Sequence, residues 1–283
     1  MKIAEFRQKL KMMVSEIISD ESGAVTDLLL CDAFGVERGE LLAMLHLNVP
    51  SSIAEKVSSQ VNQLAKGIPV QYVLGYCYFY GRKVAVGSGC FIPRQDTEIL
   101  VKAACGVIGN DEVTFADICA GSGCITLAIA SEKPNAKGYA LELSRKALAY
   151  TEKNLASLDN VVVKRFDALD EEDYLSLFEQ SGKKFDLIVS NPPYIPTEQI
   201  PMLDPQVQFE PETALDGGED GLKFYREIIR NAPIILKDNG TIIFEVGINQ
   251  AKPVSMMLEL NGYSVAVLKD YGKIDRVVLG KKY

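Results

Sequence analysis

The chain reads as an α/β protein: a mostly parallel sheet covered by helices on both faces, preceded by a small α-helical domain and a β-hairpin connector. Three observations predict it. From residue 97 onward, strand-type and helix-type stretches alternate, as units of a parallel sheet do. The last two strand-type stretches are separated only by Tyr271-Gly272-Lys273-Ile274, too short for a crossover, so they should form an antiparallel hairpin at the sheet edge. Before all this, residues 1–75 carry apolar positions at three- and four-residue steps, the pattern of a helical bundle.

Taken in order, Ile3, Phe6, Leu10, Met13, Val14 and Ile17 define one face of a first helix. Further amphipathic stretches lie near 24–34, 38–46 and 51–66, with Pro50-Ser51-Ser52 as a stop and restart. Residues 69–93 are aromatic, β-branched and glycine-punctuated, which predicts a strand-rich stretch with a hairpin turning near Gly81-Arg82. The connector is taken as 76–96 and the sheet domain as 97–283. In that domain a helix (98–107) precedes the strand 113–118, and a glycine loop leads to a helix (123–131) that stops before Pro134. Then come the strand 137–143, a helix opening at the N-cap candidate Ser144, the strand 161–166 and an acidic helix (170–180). The strand 185–190 runs into a long Pro-rich loop. A helix (221–236), a strand (241–246), a helix (249–260) and the strands 263–270 and 275–282 complete the chain. A Rossmann-like sheet ending in such a hairpin is the topology of class I methyltransferases.

Composition excludes several functions. The 283 residues carry 30 Lys+Arg against 38 Asp+Glu, a net charge of −8, so a surface built to hold nucleic-acid phosphates is not expected. A single histidine, His46, rules out a His-rich zinc site and an HExxH metalloprotease; its apolar neighbours suggest a helical residue on or near a packed face. Six cysteines (Cys31, Cys77, Cys90, Cys105, Cys119, Cys124) form no CxxC pair and read as reduced core thiols. No secretory signal and no apolar run of about 18 residues is present, so a cytoplasmic protein is expected.

Two motifs carry chemistry. Asp117-Ile118-Cys119-Ala120-Gly121-Ser122-Gly123 lies where the first sheet strand turns into its helix, the place where open α/β sheets bind ligands. Glu142, at the end of the next strand, can accept hydrogen bonds from both hydroxyls of a ribose, and Asp167, at the end of the third, can face an adenine amino group. This constellation predicts a nucleoside cofactor without separating NAD from S-adenosylmethionine. The missing GxGxxG spacing weakens the dinucleotide case, because a sulfonium cofactor has no diphosphate to bind.

The second motif is Asn191-Pro192-Pro193-Tyr194, directly after the fourth strand. Two prolines fix φ and remove two donors, which makes the loop stiff. The Asn191 side-chain oxygen and the Pro192 carbonyl together can hold both hydrogens of a planar NH₂ group, and Tyr194 offers a flat face to its π-system. Amide and exocyclic amine nitrogens are poor nucleophiles because their lone pair is delocalised. Two acceptors on the hydrogens raise electron density on nitrogen, so catalysis becomes positioning plus electrostatics, with no metal and no strong base. The plain alternative is a rigid loop after a strand.

These motifs, with PVQYVLG (69–75), FIPRQDTE (91–98), SNPPYI (190–195) and EPETALDGGEDG (210–221), resemble the HemK/PrmC family of peptide chain release factor N5-glutamine methyltransferases over nearly the full length. The resemblance implies S-adenosyl-L-methionine as cofactor and the glutamine of the Gly-Gly-Gln loop of class I release factors as methyl acceptor. It implies that Asn191 and Pro192 hold the glutamine amide, with Tyr194 packed on it, Pro193 also in the substrate-binding set and Phe91 beside the methyl group. Cofactor contacts would come from Asp117, Cys119, Ala120, Gly121, Ser122, Gly123, Glu142, Asp167, Ala168 and Asn191, with the N-terminal bundle docking the release factor. A monomer without membrane or direct nucleic-acid partners is expected. Gln95 stands where the family has proline, which would loosen that turn. Glu142 replaces an aspartate, Cys119 and Ala120 replace small or hydroxylated residues, and Ala168 supplies no aromatic.

Alternatives with the same chemistry are methylation of adenine N6 or cytosine N4, or of a ribosomal-protein glutamine. A non-catalytic S-adenosylmethionine-binding module is a third. Among minor cues, the acidic run at 170–173 reads as a solvated helix start and the pairs Met12-Met13 and Met256-Met257 as core filler. Lys281 and Lys282 read as an edge-strand end.

Overall fold

The computed structural model describes residues 1–18, 20–110 and 112–283. They divide into two compact units, residues 1–76 with 205–209 and residues 77–204 with 210–283.

The first unit holds α1 (Ile3–Ile17), α2 (Ser22–Phe34), α3 (Arg38–Ala43), α4 (Ser51–Leu64) and α5 (Val70–Leu74). Its core joins Ile3, Leu10 and Val14 of α1 to Leu29 and Leu30 of α2 and Val57 and Leu64 of α4. Met12 and Met13 are not core filler: they are 56% and 51% exposed, because the buried stripe of α1 runs through positions 3, 10 and 14. His46 is also placed differently from expectation, in an exposed turn after α3. The reason is capping. The first N–H groups of α1, on Ile3 and Ala4, take the carbonyls of Leu47 and Leu45 at 2.9 and 3.1 Å, which draws that segment out of the helix. Residues 70–74, expected to be extended, instead make one helical turn, opened by Pro69 (φ −55°) and closed by Gly75 (φ 79°).

The strands β1 (Tyr76–Phe79) and β2 (Arg82–Ala85) meet at Tyr80 and Gly81, both with positive φ as a two-residue hairpin turn requires. The hairpin is fastened at each end. The Tyr80 N–H donates to Glu98 Oε1 at 2.9 Å at the start of α6 (Glu98–Ile108). Asn154 in turn binds both the N–H and the carbonyl of Ala85, as a neighbouring strand would.

The sheet is built from β3 (Thr114–Ile118), β4 (Lys137–Glu142), β5 (Val161–Arg165), β6 (Phe185–Ser190), β7 (Leu236–Glu245), β8 (Tyr263–Lys269) and β9 (Asp275–Lys282). Its helices are α7 (Cys124–Glu132), α8 (Arg145–Leu155), α9 (Glu171–Ser181), α10 (Lys223–Ile235) and α11 (Ala251–Leu260). Strand order is β5-β4-β3-β6-β7-β9-β8; the first five run parallel, and β9 is antiparallel to both neighbours. This is the expected Rossmann-like sheet with its C-terminal hairpin, in which β8 forms the edge and β9 lies inside. Lys281 and Lys282 therefore end an inner strand, with Lys281 paired to Thr241 and Ser264 on either side. Ser144 caps α8 through its side chain, as read from the sequence, and Asp170 does the same for α9.

Covered on both faces, β3 is buried at every residue. The core is aromatic, with edge-to-face pairs Tyr139–Phe185, Phe166–Tyr174 and Tyr225–Phe244 at 5.0, 4.8 and 5.3 Å. Met257 packs against it, while Met256 is 52% exposed. None of the six cysteines is in a disulfide, and only Cys90 and Cys124 are buried. Among the described residues no helix is long and apolar enough to cross a membrane.

Gly138 shows how tightly this core is filled: a Cβ there would sit 2.7 Å from the Phe115 ring. Gly138→Ala is expected to destabilise the protein by about 1–3 kcal/mol through overpacking, read as a lowered urea midpoint.

Candidate active site

The sheet reverses direction of winding between β3 and β6, which are parallel neighbours with Ile118 paired to Ser190. The chain therefore leaves both strands at one level, and segments 119–123 and 191–194 emerge side by side at the carboxyl ends, where such sheets bind ligands. A cavity of about 300 Å³ opens there. Of the residues expected at the site, Phe91, Cys119, Ala120, Gly121, Ser122, Glu142, Asp167, Ala168, Asn191, Pro192, Pro193 and Tyr194 all line it.

Two do not. The buried Asp117 carboxyl turns toward α7, where Oδ2 accepts from the Thr126 N–H at 3.1 Å and hydroxyl at 2.7 Å. It ties the strand end to the helix start rather than facing the cavity. Gly123 is spent on packing: a Cβ would lie 3.0 Å from Thr151 and 3.1 Å from Leu155 of α8. Within the loop, Cys119 adopts φ 63°, a left-handed conformation that costs a non-glycine residue roughly 1–2 kcal/mol.

Glu142 is held from both sides, Oε2 by the Gly121 N–H at 2.8 Å and Oε1 by the Ser144 N–H at 2.7 Å. Burial raises its pKa and these hydrogen bonds oppose the rise. Each oxygen keeps a further acceptor site, which suits a pair of hydroxyls. Asp167 caps its own turn through the Leu169 N–H at 2.9 Å, and its N–H donates to Asp173 at 2.6 Å, so the acidic helix start also braces the site. Leu143, Phe166 and Phe224 add apolar wall around the small Ala168.

The diproline loop is supported from behind by residues that the sequence reading did not assign. Gln250 donates from Nε2 to the Tyr194 carbonyl at 2.8 Å and accepts the Gly247 N–H at 3.0 Å. Three glycines let the backbone press against Tyr194. A Cβ would come within 2.7 Å of its Cα at Gly217, 2.3 Å of its carbonyl oxygen at Gly221 and 3.0 Å of its ring at Gly247. The glycines of segment 217–221 were visible as a motif, but their partner was not. Burial pushes the Tyr194 hydroxyl up to about 12. On the opposite rim, Glu210 accepts the Ile92 N–H at 2.9 Å and pairs with Arg94, whose guanidinium lies 4.9 Å from the Phe91 ring centroid. This fixes Phe91 at the cavity. Gln95 opens a short 3₁₀ turn, Gln95–Thr97, closed by the Thr97 N–H on the Arg94 carbonyl at 3.2 Å.

Fold and site together define a methyltransferase. The structure superposes on the hMettl16 catalytic domain, solved in complex with MAT2A 3′UTR hairpin 6, with a TM-score of 0.57 over 82% of each chain at 14% identity, a likeness of fold. Residues 5–75 match the PrmC N-terminal domain, and residues 96–202 match the methyltransferase small domain. Release factor glutamine methyltransferases of Thermodesulfovibrio yellowstonii and Geobacter sulfurreducens are each 39% identical to this chain, over 83% and 90% of it and 84% and 88% of their own lengths. The chain belongs to the release factor glutamine methyltransferase family.

Two outcomes follow from this geometry. Gln250→Ala releases the Tyr194 carbonyl, so methyl-transfer kcat should fall about tenfold or more while cofactor affinity holds, measured by steady-state kinetics and calorimetry. Burial pushes Asp117 up to about 7, against the Thr126 hydrogen bonds. Its folded pKa lies above the unfolded one, so it contributes stability at low pH that is lost as pH rises through about 7. Asp117→Asn should therefore reduce the drop in thermal midpoint between about pH 5 and about pH 8.

Proposed function

We propose that this protein transfers a methyl group from S-adenosyl-L-methionine to the side-chain amide nitrogen (N5) of the glutamine in the Gly-Gly-Gln loop of class I peptide chain release factors. The observation that carries the reading is the intact Asn191-Pro192-Pro193-Tyr194 loop sharing one cavity with Glu142 and the glycine loop, in a chain of this family.

The cavity suits the cofactor. Its size is that of small-molecule sites, its walls are mostly apolar, and its few polar groups stand at strand ends. Glu142 accepts from the two ribose hydroxyls, Asp167 from the adenine amino group, and Leu143, Phe166 and Ala168 enclose the base. When bound, S-adenosylmethionine supplies a methyl carbon made electrophilic by its sulfonium, and S-adenosyl-L-homocysteine is left as product.

The chain's own work is on the acceptor. Asn191 Oδ1 and the Pro192 carbonyl take the two hydrogens of the glutamine amide, which raises electron density on its nitrogen and aims the lone pair at the methyl carbon. The Tyr194 ring packs on the amide plane. Its hydroxyl stays protonated at neutral pH, so it acts as a surface and not as a base. The proton left on the methylated nitrogen is strongly acidic and departs to water. The N-terminal helical unit docks the release factor, and the protein works as a monomer in the cytoplasm, where translation ends. A net charge of −8 disfavours a nucleic-acid acceptor.

Mass spectrometry of a release factor incubated with the protein and cofactor tests this. A gain of one methyl in place of hydrogen on the Gly-Gly-Gln glutamine is the expected result, and an unmodified glutamine would overturn it. Asn191→Ala should lower kcat by about 10²–10³, the effect of removing one aimed electrostatic partner of the reacting group.

A further inference from the structure

We propose that Glu245, acting through Thr97, is the positioning residue that decides which way the Asn191 amide faces. The inference rests on the reading of Asn191 as the acceptor of a substrate amide hydrogen. Strands β6 and β7 are parallel neighbours with Ser190 paired to Phe244, so Asn191, the first residue beyond β6, and Glu245, the last residue of β7, follow at the same level. Glu245 is 2% exposed and Thr97 equally buried. Thr97 and Asn191 are the neighbouring side chains that favour the charged Glu245 carboxyl against the cost of its burial. Asn191 Nδ2 in turn lies 3.3 Å from Thr97 Oγ1.

The hydrogen inventory then leaves one arrangement. A threonine hydroxyl has a single proton. Once that proton is given to the carboxylate, the Thr97 oxygen can only accept, and the partner within reach is the Asn191 NH₂ group. Its two hydrogens go to Thr97 and Glu245, and the oxygen Oδ1 is what remains to face the cavity. The flipped amide would set Oδ1 against a carboxylate and present a donor to the donor hydrogens of the substrate. An asparagine alone has no such preference.

The charged state of Glu245 is what enforces the orientation. Arg276 of β9, 8% exposed and bonded to Asp270 at 3.1 Å, favours that state, while Asp96 of the turn before α6 and the hydroxyls of Tyr194 and Tyr225 face the same region. Burial pushes the carboxyl up to about 7, and Oε2 has no hydrogen-bond partner among the described residues. A proton taken up there makes Glu245 a donor, frees the Thr97 proton to turn toward Asn191, and removes the bias. Methyl transfer is therefore expected to fall as pH drops through about 7.

The test compares wild type with Glu245→Gln, Thr97→Val and Thr97→Ser in the full chain. In protein carrying isotope-labelled asparagine, the Asn191 side-chain NH₂ resonances, assigned by their loss in Asn191→Asp, should exchange slowly and titrate with a midpoint near about 7. That titration should vanish in Glu245→Gln, and exchange protection should be lost in Thr97→Val and restored in Thr97→Ser. In turnover, Glu245→Gln and Thr97→Val should lose about tenfold to hundredfold in kcat with KM unchanged, Thr97→Ser should recover it, and the acid limb should disappear in Glu245→Gln. Resonances and pH profiles identical in all variants overturn the proposal. A wild type that leaves the release-factor glutamine unmethylated overturns the substrate assignment instead, and the resonance measurement, which needs no acceptor, still decides the orientation.

Discussion

The pairing of Ile118 with Ser190 is the constraint on which the site depends. Adjacent strands lie about 4.8 Å apart, so two loops leaving neighbouring parallel strands at the same register share a space without any long side chain reaching across. A register slip would separate the glycine loop from the diproline loop. The buried hydrophobic strands on both sides make a slip costly, because their side chains have fixed places in the core.

Behind that juncture lies a layer whose purpose is stiffness. The diproline corner has few soft torsions of its own, and the chain behind it is packed so closely that three glycines are needed for the backbones to pass. Gln250 closes the gap with side-chain hydrogen bonds in both directions. The ion pair of Arg94 with the nearly inaccessible Glu210 does the same for the opposite rim. For a reaction that consists mainly of bringing a weak nucleophile into line, rigidity of this kind is the catalytic resource.

Two carboxyls carry the cost. Asp117 and Glu245 are buried, each with one oxygen lacking a hydrogen-bond partner, and each is pushed up to about 7. They sit at the ends of β3 and β7, beside the two loops, and not elsewhere in the core. Unsatisfied polar groups in such positions fit a site where local stability is exchanged for fixed geometry.

Much was legible from residues alone. The alternation of elements after residue 97, the four-residue link 271–274 and the glycine and diproline motifs are local patterns, and local patterns set the strand–helix order and the position of the cavity. The contacts of Asp117 and Gly123 were not legible, since a motif records proximity in the chain and not which way a side chain turns. His46 was misread because its apolar neighbours signalled a helix that the capping needs of α1 pull apart. Met12 and Met13 showed that helical spacing names a face only to within a residue or two. The sequence by itself determined the class of fold, the family and most cavity residues, because these rest on periodicity and short motifs. Only the tertiary structure decided what braces them: Thr97, Glu245 and Gln250 meet Asn191 and Tyr194 across spans of 54 to 94 positions. No pattern of neighbouring residues encodes a hydrogen bond that exists only once the strands are side by side.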